Sequence, residues 1–191
     1  ANLRLVNLGN NHLLNFGPAG LAQTKQFLTT AGVEYFGDPS RAEDGQIIKE
    51  INGLKIGFVS QDAFIENGSA RALSGVAQLR DKTDFVVVHA HWGNEYETRS
   101  NQKQQELARK LIQAGADLVI GSHPHVIQER EEFEGKRIYY SLGNFIFDQY
   151  FQAETQKGLL VKVIFEKDQP LRFEEKEILL TNDGRTNMVK K

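Results

Sequence analysis

The chain has 191 residues, of which 40% are hydrophobic and 25% charged, a composition typical of globular proteins. Its 23 basic and 25 acidic residues give a formal net charge of −2, which excludes nucleic-acid or membrane-surface binding driven by bulk charge. The chain has no cysteine, so thiolate ligands and disulfides are excluded, and any metal must be held by nitrogen and oxygen atoms.

The first part of the chain predicts a βαβ-like arrangement. Residues 3–8 form an apolar run typical of a buried strand, and residues 18–30 predict a helix with Pro18 at its start. Residues 33–36 predict a second short strand, which leads into the turn-rich segment 37–45.

A β-hairpin is the clearest local prediction. Residues 46–51 and 55–60 alternate as strands do, and the Asn-Gly pair at 52–53 between them favours a tight turn, since both central residues need positive φ. We expect residues 61–75 to form a polar, irregular loop and residues 76–80 a short helical turn.

The second half predicts one amphipathic helix among several strands. Residues 100–114 contain strong helix formers, with Ser100 placed as the N-cap and Gly115 as the stop. The tail 182–191 is polar and predicted to fray. The predicted strands are 85–88, 118–120, 126–133, 137–142, 158–165 and 171–180. A mixed sheet covered by helices is the expected outcome.

The five histidines all fall within three short polar motifs, each placed after an apolar strand: GNNH at 9–12, HAHWGNEY at 89–96 and GSHPH at 121–125. Ordinary core or surface histidines would scatter, whereas the ligands of one metal site come from the ends of separate strands. The distribution therefore predicts one shared site.

GSHPH is the most specific of the three motifs. His123 and His125 are two positions apart, and Pro124 between them fixes φ and removes a backbone donor, so both rings can address one or two adjacent metals. The alternative is a polar turn in which the histidines only cap strands.

The HAHWGNEY motif offers one ligand and several supporting groups. We favour His91 as the ligand because it adjoins the turn, and we interpret His89 as a supporting or structural residue. Glu95 is a candidate ligand, base or substrate contact, although a glutamate in a loop is by default solvated.

The remaining candidates lie in GNNH and in YSLGNFIFD at 140–148. An amide oxygen of Asn11 can bind a divalent metal while the unbound His12 donates a proton to a leaving group, although Asn-Asn pairs also serve simply as turns. Asn144 and Asp148 either rim the same site or have structural turn roles.

Four segments together resemble, in order and spacing, the CapA-type bacterial capsule-synthesis family associated with poly-γ-glutamate. They are GNNHLLNFGPAGLAQT, HWGNEY, GADLVIGSHPHVIQ and YSLGNFIFDQ. That family is a branch of the calcineurin-like metallophosphoesterases, and the resemblance spans about residues 5–148. It implies a single domain over residues 1–191 with a four-layer αββα sandwich, and a location in the bacterial cell envelope or outside the cell.

The resemblance also implies residue roles. Asn11, His91, His123 and His125 correspond to metal ligands and His12 to the acid, around one or two ions of manganese, iron or zinc. The expected partners are an envelope polymer or a phosphate-ester substrate, with no nucleic acid.

The chain departs from the superfamily pattern in its acidic ligands. Two acidic motifs should precede GNNH, yet none of the ten residues before Asn11 is acidic. Missing upstream sequence is the favoured explanation; otherwise Glu95 or Asp148 substitutes, or the site binds one metal or none. Asn15 stands where the family usually has aspartate.

Membrane contact is expected only through a segment absent from this sequence, because no apolar stretch approaches the roughly 18–20 residues that span a bilayer. Two hypotheses remain open. The chain is a metal-dependent hydrolase or transferase acting on a phosphate ester or an envelope polymer, or it is a noncatalytic module that binds such a polymer or a partner.

Overall fold

The structure, a computed structural model, describes residues 3–41 and 43–189. Within these residues no helix is long and apolar enough to cross a membrane. The helices are α1 (Gly17–Thr30), α2 (Gly68–Arg80) and α3 (Gln102–Gln113). The strands are β1 (Leu5–Asn7), β2 (Glu34–Phe36), β3 (Gln46–Ile51), β4 (Leu54–Asp62), β5 (Phe85–His91), β6 (Leu118–Ser122), β7 (Arg130–Phe133), β8 (Lys136–Tyr139), β9 (Lys157–Ile164), β10 (Arg172–Leu180) and β11 (Thr186–Met188).

A six-stranded mixed sheet forms the centre of the fold, in the order β3-β4-β5-β6-β8-β7. The inner neighbours β4, β5, β6 and β8 pair in parallel, while β3 and β7 are antiparallel edge strands. A second sheet holds β9, β10 and β11 in antiparallel order, and β1 pairs with β2 in parallel. The chain is thus a mixed α/β protein.

The central sheet is covered on both faces. In β5, Val86 and Val88 pack with residues of α2 and α3, whereas Phe85 and Val87 pack against side chains of the second sheet such as Val163. Complete burial of a side chain of this kind stabilises the fold by roughly 1.5–3 kcal/mol, so β5 contributes to the core through both faces. The predicted α/β sandwich is confirmed.

The hairpin between β3 and β4 forms as the sequence predicts. Its strands pair from Gln46 with Val59 to Ile51 with Leu54, and the turn residues Asn52 and Gly53 have φ of 51° and 79°. Positive φ at both positions is what a tight two-residue hairpin turn requires.

The prediction of a loop over residues 61–75 holds only for residues 63–67, because β4 continues to Asp62 and α2 begins at Gly68. Ala72, Val76 and Leu79 lie on one helix face and are buried in the core. Gly75 also lies in the contact with the sheet, where an added Cβ would stand 3.1 Å from Val59. Glycine disfavours a helix locally, so packing against the sheet decides this element.

Other boundaries differ from prediction for local reasons. Asn101, not Ser100, caps α3, and it forms a reciprocal capping box with Gln104. The Ser100 hydroxyl instead donates to Glu129 at 2.6 Å. The strand predicted over 126–133 is confined to Arg130–Phe133.

The C-terminal tail is more ordered than its polar sequence predicts. Thr186–Met188 pairs with β10 as β11, so the prediction of a frayed tail is wrong for this stretch. The pairing forms backbone hydrogen bonds, which the pattern of side chains in the sequence does not predict. Lys190 and Lys191, the last residues of the predicted tail, lie outside the described residues.

Candidate metal centre

The histidine motifs meet at the carboxyl edge of the central sheet. β5 ends at His91, which pairs in register with Ser122 at the end of β6. The ring centroids of His91 and His123 are 4.8 Å apart, and those of His123 and His125 are 6.0 Å apart. Parallel strands bring their carboxyl ends to the same edge, which is why His91 lies beside the distant pair His123 and His125.

The segment after β6 has an unusual backbone. His123 has φ of 96° and His125 has φ of 61°, both in the left-handed region that non-glycine residues rarely adopt. Such residues cost of order 1–3 kcal/mol each and persist where the surrounding structure holds them, often at functional sites. The two rings are therefore held in place at a cost in backbone energy.

Glu95, His123 and His125 each offer a ligand atom, and these atoms lie within 4.8 Å of one another. His123 is buried, and its Nδ1 atom has no hydrogen-bond partner among the described residues. A buried polar atom without a partner is costly unless something satisfies it. The donor set of two imidazoles and a carboxylate suits a divalent cation, so these residues fit the predicted metal.

A second pair of potential ligand atoms lies beside this cluster. The Ser122 hydroxyl donates to the Ala90 carbonyl at 3.1 Å and can therefore accept from His91 Nδ1 at 3.1 Å. His91 Nε2 then carries a lone pair, and it faces Asn11 Oδ1 at 3.0 Å. Two acceptors at this distance repel each other. Either a flip of the Asn11 amide or a cation bound by both atoms would remove the repulsion.

His125 is oriented by Asn144. The Asn144 amide donates from Nδ2 to the Thr155 carbonyl at 2.9 Å, which leaves its Oδ1 to accept from His125 Nδ1 at 2.9 Å. This bond places the proton on Nδ1 and leaves Nε2 with a free lone pair. Metal-binding histidines commonly have such an orienting partner.

Burial favours the neutral form of two of the cluster histidines, His91 and His123. Burial, together with the neighbouring histidines, lowers the pKa of His91 to about 3. Burial likewise lowers the pKa of His123. Neutral imidazoles keep the lone pairs that a metal requires.

His12 and His89 occupy different positions. His12 is exposed, and its Nδ1 faces the Asn15 amide at 3.1 Å. His89 is directed to β1, where its Nδ1 faces Asn7 Nδ2 at 2.8 Å, and burial lowers its pKa to about 4. His89 thus contacts a protein group outside the cluster, and its role as a supporting residue stays a prediction.

Asp148 is exposed and is not part of the Glu95, His123 and His125 cluster. Asn144, predicted as a rim or turn residue, is buried behind the cluster. Trp92 is also buried, and its indole nitrogen donates to the Tyr140 carbonyl at 2.9 Å.

Aromatic side chains border the cluster. Phe64 lies 4.5 Å from His123 between ring centroids, and Tyr96 stacks on His125 at 6.2 Å. Phe147 is 4.9 Å from His125, while Phe151 meets Tyr96 edge-on at 5.4 Å. All four retain exposed surface, so they form an apolar rim around polar ligand atoms.

Sequence reasoning missed two polar residues at this edge, Ser122 and Asp62. Asp62 ends β4, pairs in register with His91 and is 4% exposed. Its signal in the sequence is weak, because it sits where a polar loop was expected. Ser122 lies inside the GSHPH motif, but its contact with His91 depends on the pairing of β5 with β6.

The fold and this edge of the sheet define an α/β sandwich protein with a histidine-rich candidate metal centre. The family described as "Bacterial capsule synthesis protein PGA_cap" matches residues 1–149, and the chain belongs to that family.

Two curated relatives are similar over most of the chain. The capsule biosynthesis protein CapA of Bacillus anthracis is 31% identical over 84% of this chain and 44% of the relative. The PGA biosynthesis protein CapA of Bacillus subtilis (strain 168) is 34% identical over 91% of this chain and 50% of the relative. The chain therefore spans about half the length of these relatives.

Proposed function

We propose that this chain contributes a metal-dependent hydrolase or transferase site to capsule or poly-γ-glutamate biosynthesis in the bacterial cell envelope. Its substrate would be a phosphate ester or an envelope polymer. Membership of the capsule-synthesis family supports the biological setting. The names of the two CapA relatives support the link to capsule and PGA biosynthesis.

One observation carries the catalytic proposal, namely the convergence of Asn11, His91, His123, His125 and Glu95 at one edge of the sheet. A cation would satisfy the unpartnered Nδ1 of His123, and it would also relieve the contact between Asn11 and His91, for which an amide flip is the alternative. The Nδ1 of His89, outside the cluster, instead faces a protein amide, that of Asn7.

These five residues would hold manganese, iron or zinc, as one ion or two. A bound ion would supply Lewis acidity and would lower the pKa of a bound water so that hydroxide is available at neutral pH. Asn144 would keep His125 in the required tautomer through its Nδ1 hydrogen bond.

In this proposal His12 would move a proton. It is exposed near the cluster, and its charge would be felt by both His91 and His123. With Nδ1 accepting from Asn15, its Nε2–H would face outwards as the donor to a leaving oxygen or nitrogen. The aromatic rim of Phe64 and Tyr96 would restrict water around the reacting group.

The test begins with metal content. Elemental analysis after purification without chelator should find metal in the wild type and much less in a His123→Ala, His125→Ala double variant. A His89→Gln variant, altered outside the cluster, is the matched control and should retain metal. Equal metal in the wild type and the double variant would contradict the proposal.

Catalysis needs a separate assay. The metal-loaded wild type should hydrolyse a generic chromogenic phosphodiester, and the double variant should not. The noncatalytic alternative is favoured by one observation: Glu95, the one carboxylate in the described cluster, is exposed. A metal-loaded chain with no turnover on phosphodiesters or on poly-γ-glutamate would support that alternative.

A further inference from the structure

Four aromatic side chains around the candidate metal centre keep exposed ring surface beyond their contacts with the histidines. Phe64, Tyr96, Phe147 and Phe151 are 47%, 36%, 42% and 62% exposed. We call these four residues the aromatic rim. Each ring contacts a cluster histidine or another ring of the rim, at centroid distances of 4.5 to 6.2 Å. The rim therefore offers aromatic surface directly beside the candidate ligand atoms.

Tyr96 is fixed in place by its backbone and its hydroxyl. Its φ of 66° lies in the left-handed region, which a bulky residue rarely adopts. Its N–H donates to the Pro124 carbonyl at 2.8 Å, and its hydroxyl accepts from Gln149 Nε2 at 3.2 Å. These contacts hold the ring against His125, so little side-chain freedom would be lost when a ligand binds.

The segments at this edge of the sheet are acidic. Because β4, β5, β6 and β8 are parallel, the segments that follow them, residues 63–67, 92–101, 123–129 and 140–156, begin at the same edge. They contain six acidic residues and one arginine, a formal net charge of −5 against −2 for the whole chain. The acids are Glu66, Glu95, Glu97, Glu129, Asp148 and Glu154, and the arginine is Arg99.

These carboxylates are not neutralised by neighbouring basic side chains. None of the six forms a salt bridge with a residue that the structure describes. Five of them are exposed, and the sixth, Glu129, accepts from the Ser100 hydroxyl. Glu95 and Asp148 adjoin Tyr96 and Phe147 in the sequence. A cation that reaches the rim would therefore meet aromatic rings and unpaired carboxylates together.

An occupant of the rim must suit both its rings and its charge. An uncharged apolar surface would cover the rings but would also remove water from the carboxylates, at a cost. A polyanion or an anionic membrane surface would be repelled by the acidic segments. An alkylammonium group suits both features, because its carbon shell packs on ring faces while its positive charge is attracted by the rings and the carboxylates.

We propose that the aromatic rim binds the alkylammonium group of a phosphate ester, such as a choline ester, whose phosphoryl group lies at the candidate metal centre. This inference rests on the proposed function and selects the phosphate ester from its two substrate classes. Tyr96 and Phe147 are the specificity-determining residues, because both pack on His125, a candidate ligand of the metal that would hold the phosphoryl group.

A nuclear magnetic resonance titration of the chelator-treated chain tests the rim without a metal. Choline is compared with 3,3-dimethylbutan-1-ol, a neutral molecule of the same shape in which carbon replaces the ammonium nitrogen. Choline should bind at least about tenfold more tightly, because only choline is attracted by the ring faces and the carboxylates. Equal affinities, or no binding of choline, would overturn the proposal.

Two variants test whether the rim is the binding site. Phe147→Leu and Tyr96→Leu each remove a ring but keep an apolar side chain, and each should weaken choline binding by about threefold or more. Phe27→Leu is the matched control, because it changes an exposed aromatic residue of α1. A loss in either rim variant, with Phe27→Leu unchanged, supports the proposal. Unchanged choline affinity in both rim variants overturns it.

A membrane surface and a second copy of the chain are the competing occupants. Sedimentation with phosphatidylglycerol vesicles tests the first, and analytical ultracentrifugation of the chain alone tests the second. The proposal expects no vesicle binding, and the same oligomeric state for the wild type and Phe147→Leu. Vesicle binding that Phe147→Leu abolishes, or a dimer that this variant dissociates, would overturn the proposal.

Turnover separates this inference from the proposed function. The manganese-loaded chain is given p-nitrophenyl phosphorylcholine or p-nitrophenyl 3,3-dimethylbutyl phosphate. In each, water displaces p-nitrophenolate from phosphorus, and the other ester bond stays intact. The choline ester should have a kcat/KM at least about tenfold higher, and Phe147→Leu should reduce this ratio through KM.

The two failures are distinguishable. Choline binding without turnover of either ester would contradict the proposed function alone. Turnover of the two esters with equal kcat/KM would support the proposed function and overturn the assignment of the aromatic rim to an alkylammonium group.

Discussion

His125 donates its Nδ1–H to Asn144 Oδ1 at 2.9 Å, and the Asn144 amide is itself fixed by its bond to the Thr155 carbonyl. Asn144 is buried, so the bond is shielded from competing water. The relationship links the two last sequence motifs and sets which nitrogen of His125 faces the candidate metal centre.

Asn144→Ala should therefore weaken metal binding without removing a ligand. Loss of an orienting partner of this kind typically lowers metal affinity by about 10–100-fold. Competition with a metal indicator would measure the affinity, and Asn182→Ala in an exposed turn is the control. An affinity equal to that of the wild type would show that Asn144 does not orient a ligand.

His12→Ala should lower turnover far more than metal content. A general acid contributes about a hundredfold to ten-thousandfold, so kcat on a chromogenic phosphodiester should fall by at least about a hundredfold. Asn15→Ala leaves the His12 ring in place and should have a smaller effect. If metal is lost from His12→Ala, then His12 is a ligand and not the acid.

The ion pair between Lys25 and Asp38 should give stability a defined pH window. Burial alone would raise the pKa of Asp38, but hydrogen bonds from Lys25 and Ser40 outweigh it and lower the pKa from its ordinary value of 3.8. The contribution of Asp38 is therefore complete above about pH 4 and is lost as pH falls through the folded-state pKa.

Lys25 defines the upper limit of that window. Its pKa is raised above the ordinary value of 10.5, chiefly by the hydrogen bond to Asp38, so its contribution is lost as pH rises beyond this range. Urea unfolding should find Asp38→Asn less stable than wild type at pH 7, with a difference that shrinks below pH 4. Glu34→Gln, in the more exposed pair with Lys49, should change stability by less than about 1 kcal/mol.

Asn101→Ala should destabilise the protein by about 0.5–2 kcal/mol, because it removes the side chain that caps α3. Thermal or urea unfolding would measure the loss. Lys103→Ala, an exposed change in the first turn of the same helix, is the control and should be close to neutral. Equal stability of the two variants would mean that the capping box contributes nothing.

Local features of the sequence were sufficient for several elements. The Asn52-Gly53 turn predicted the β3–β4 hairpin, and the strong helix formers of residues 100–114 predicted the amphipathic helix α3. Both signals depend on neighbours in the chain, since turn conformation and helix periodicity are local properties. The histidine motifs were recognisable for the same reason.

The candidate site was only partly predictable. The sequence indicated that Asn11, His91, His123 and His125 follow strands, and the structure places them together. It did not reveal that Ser122 supports His91, since that contact depends on the register between β5 and β6. Nor did the sequence predict the hydrogen bond between His125 and Asn144, because a buried contact between separate segments produces no periodic pattern in the sequence.

By itself, the sequence determined where several strands and turns form and which motifs carry the candidate metal ligands. It also determined that any ligand atoms are nitrogen or oxygen. Tertiary structure alone decided that a glycine-containing segment becomes α2 and that Asp62 is buried at a strand end. These outcomes depend on packing between segments far apart in the chain, and packing free energy outweighs the weak local preferences that a sequence displays.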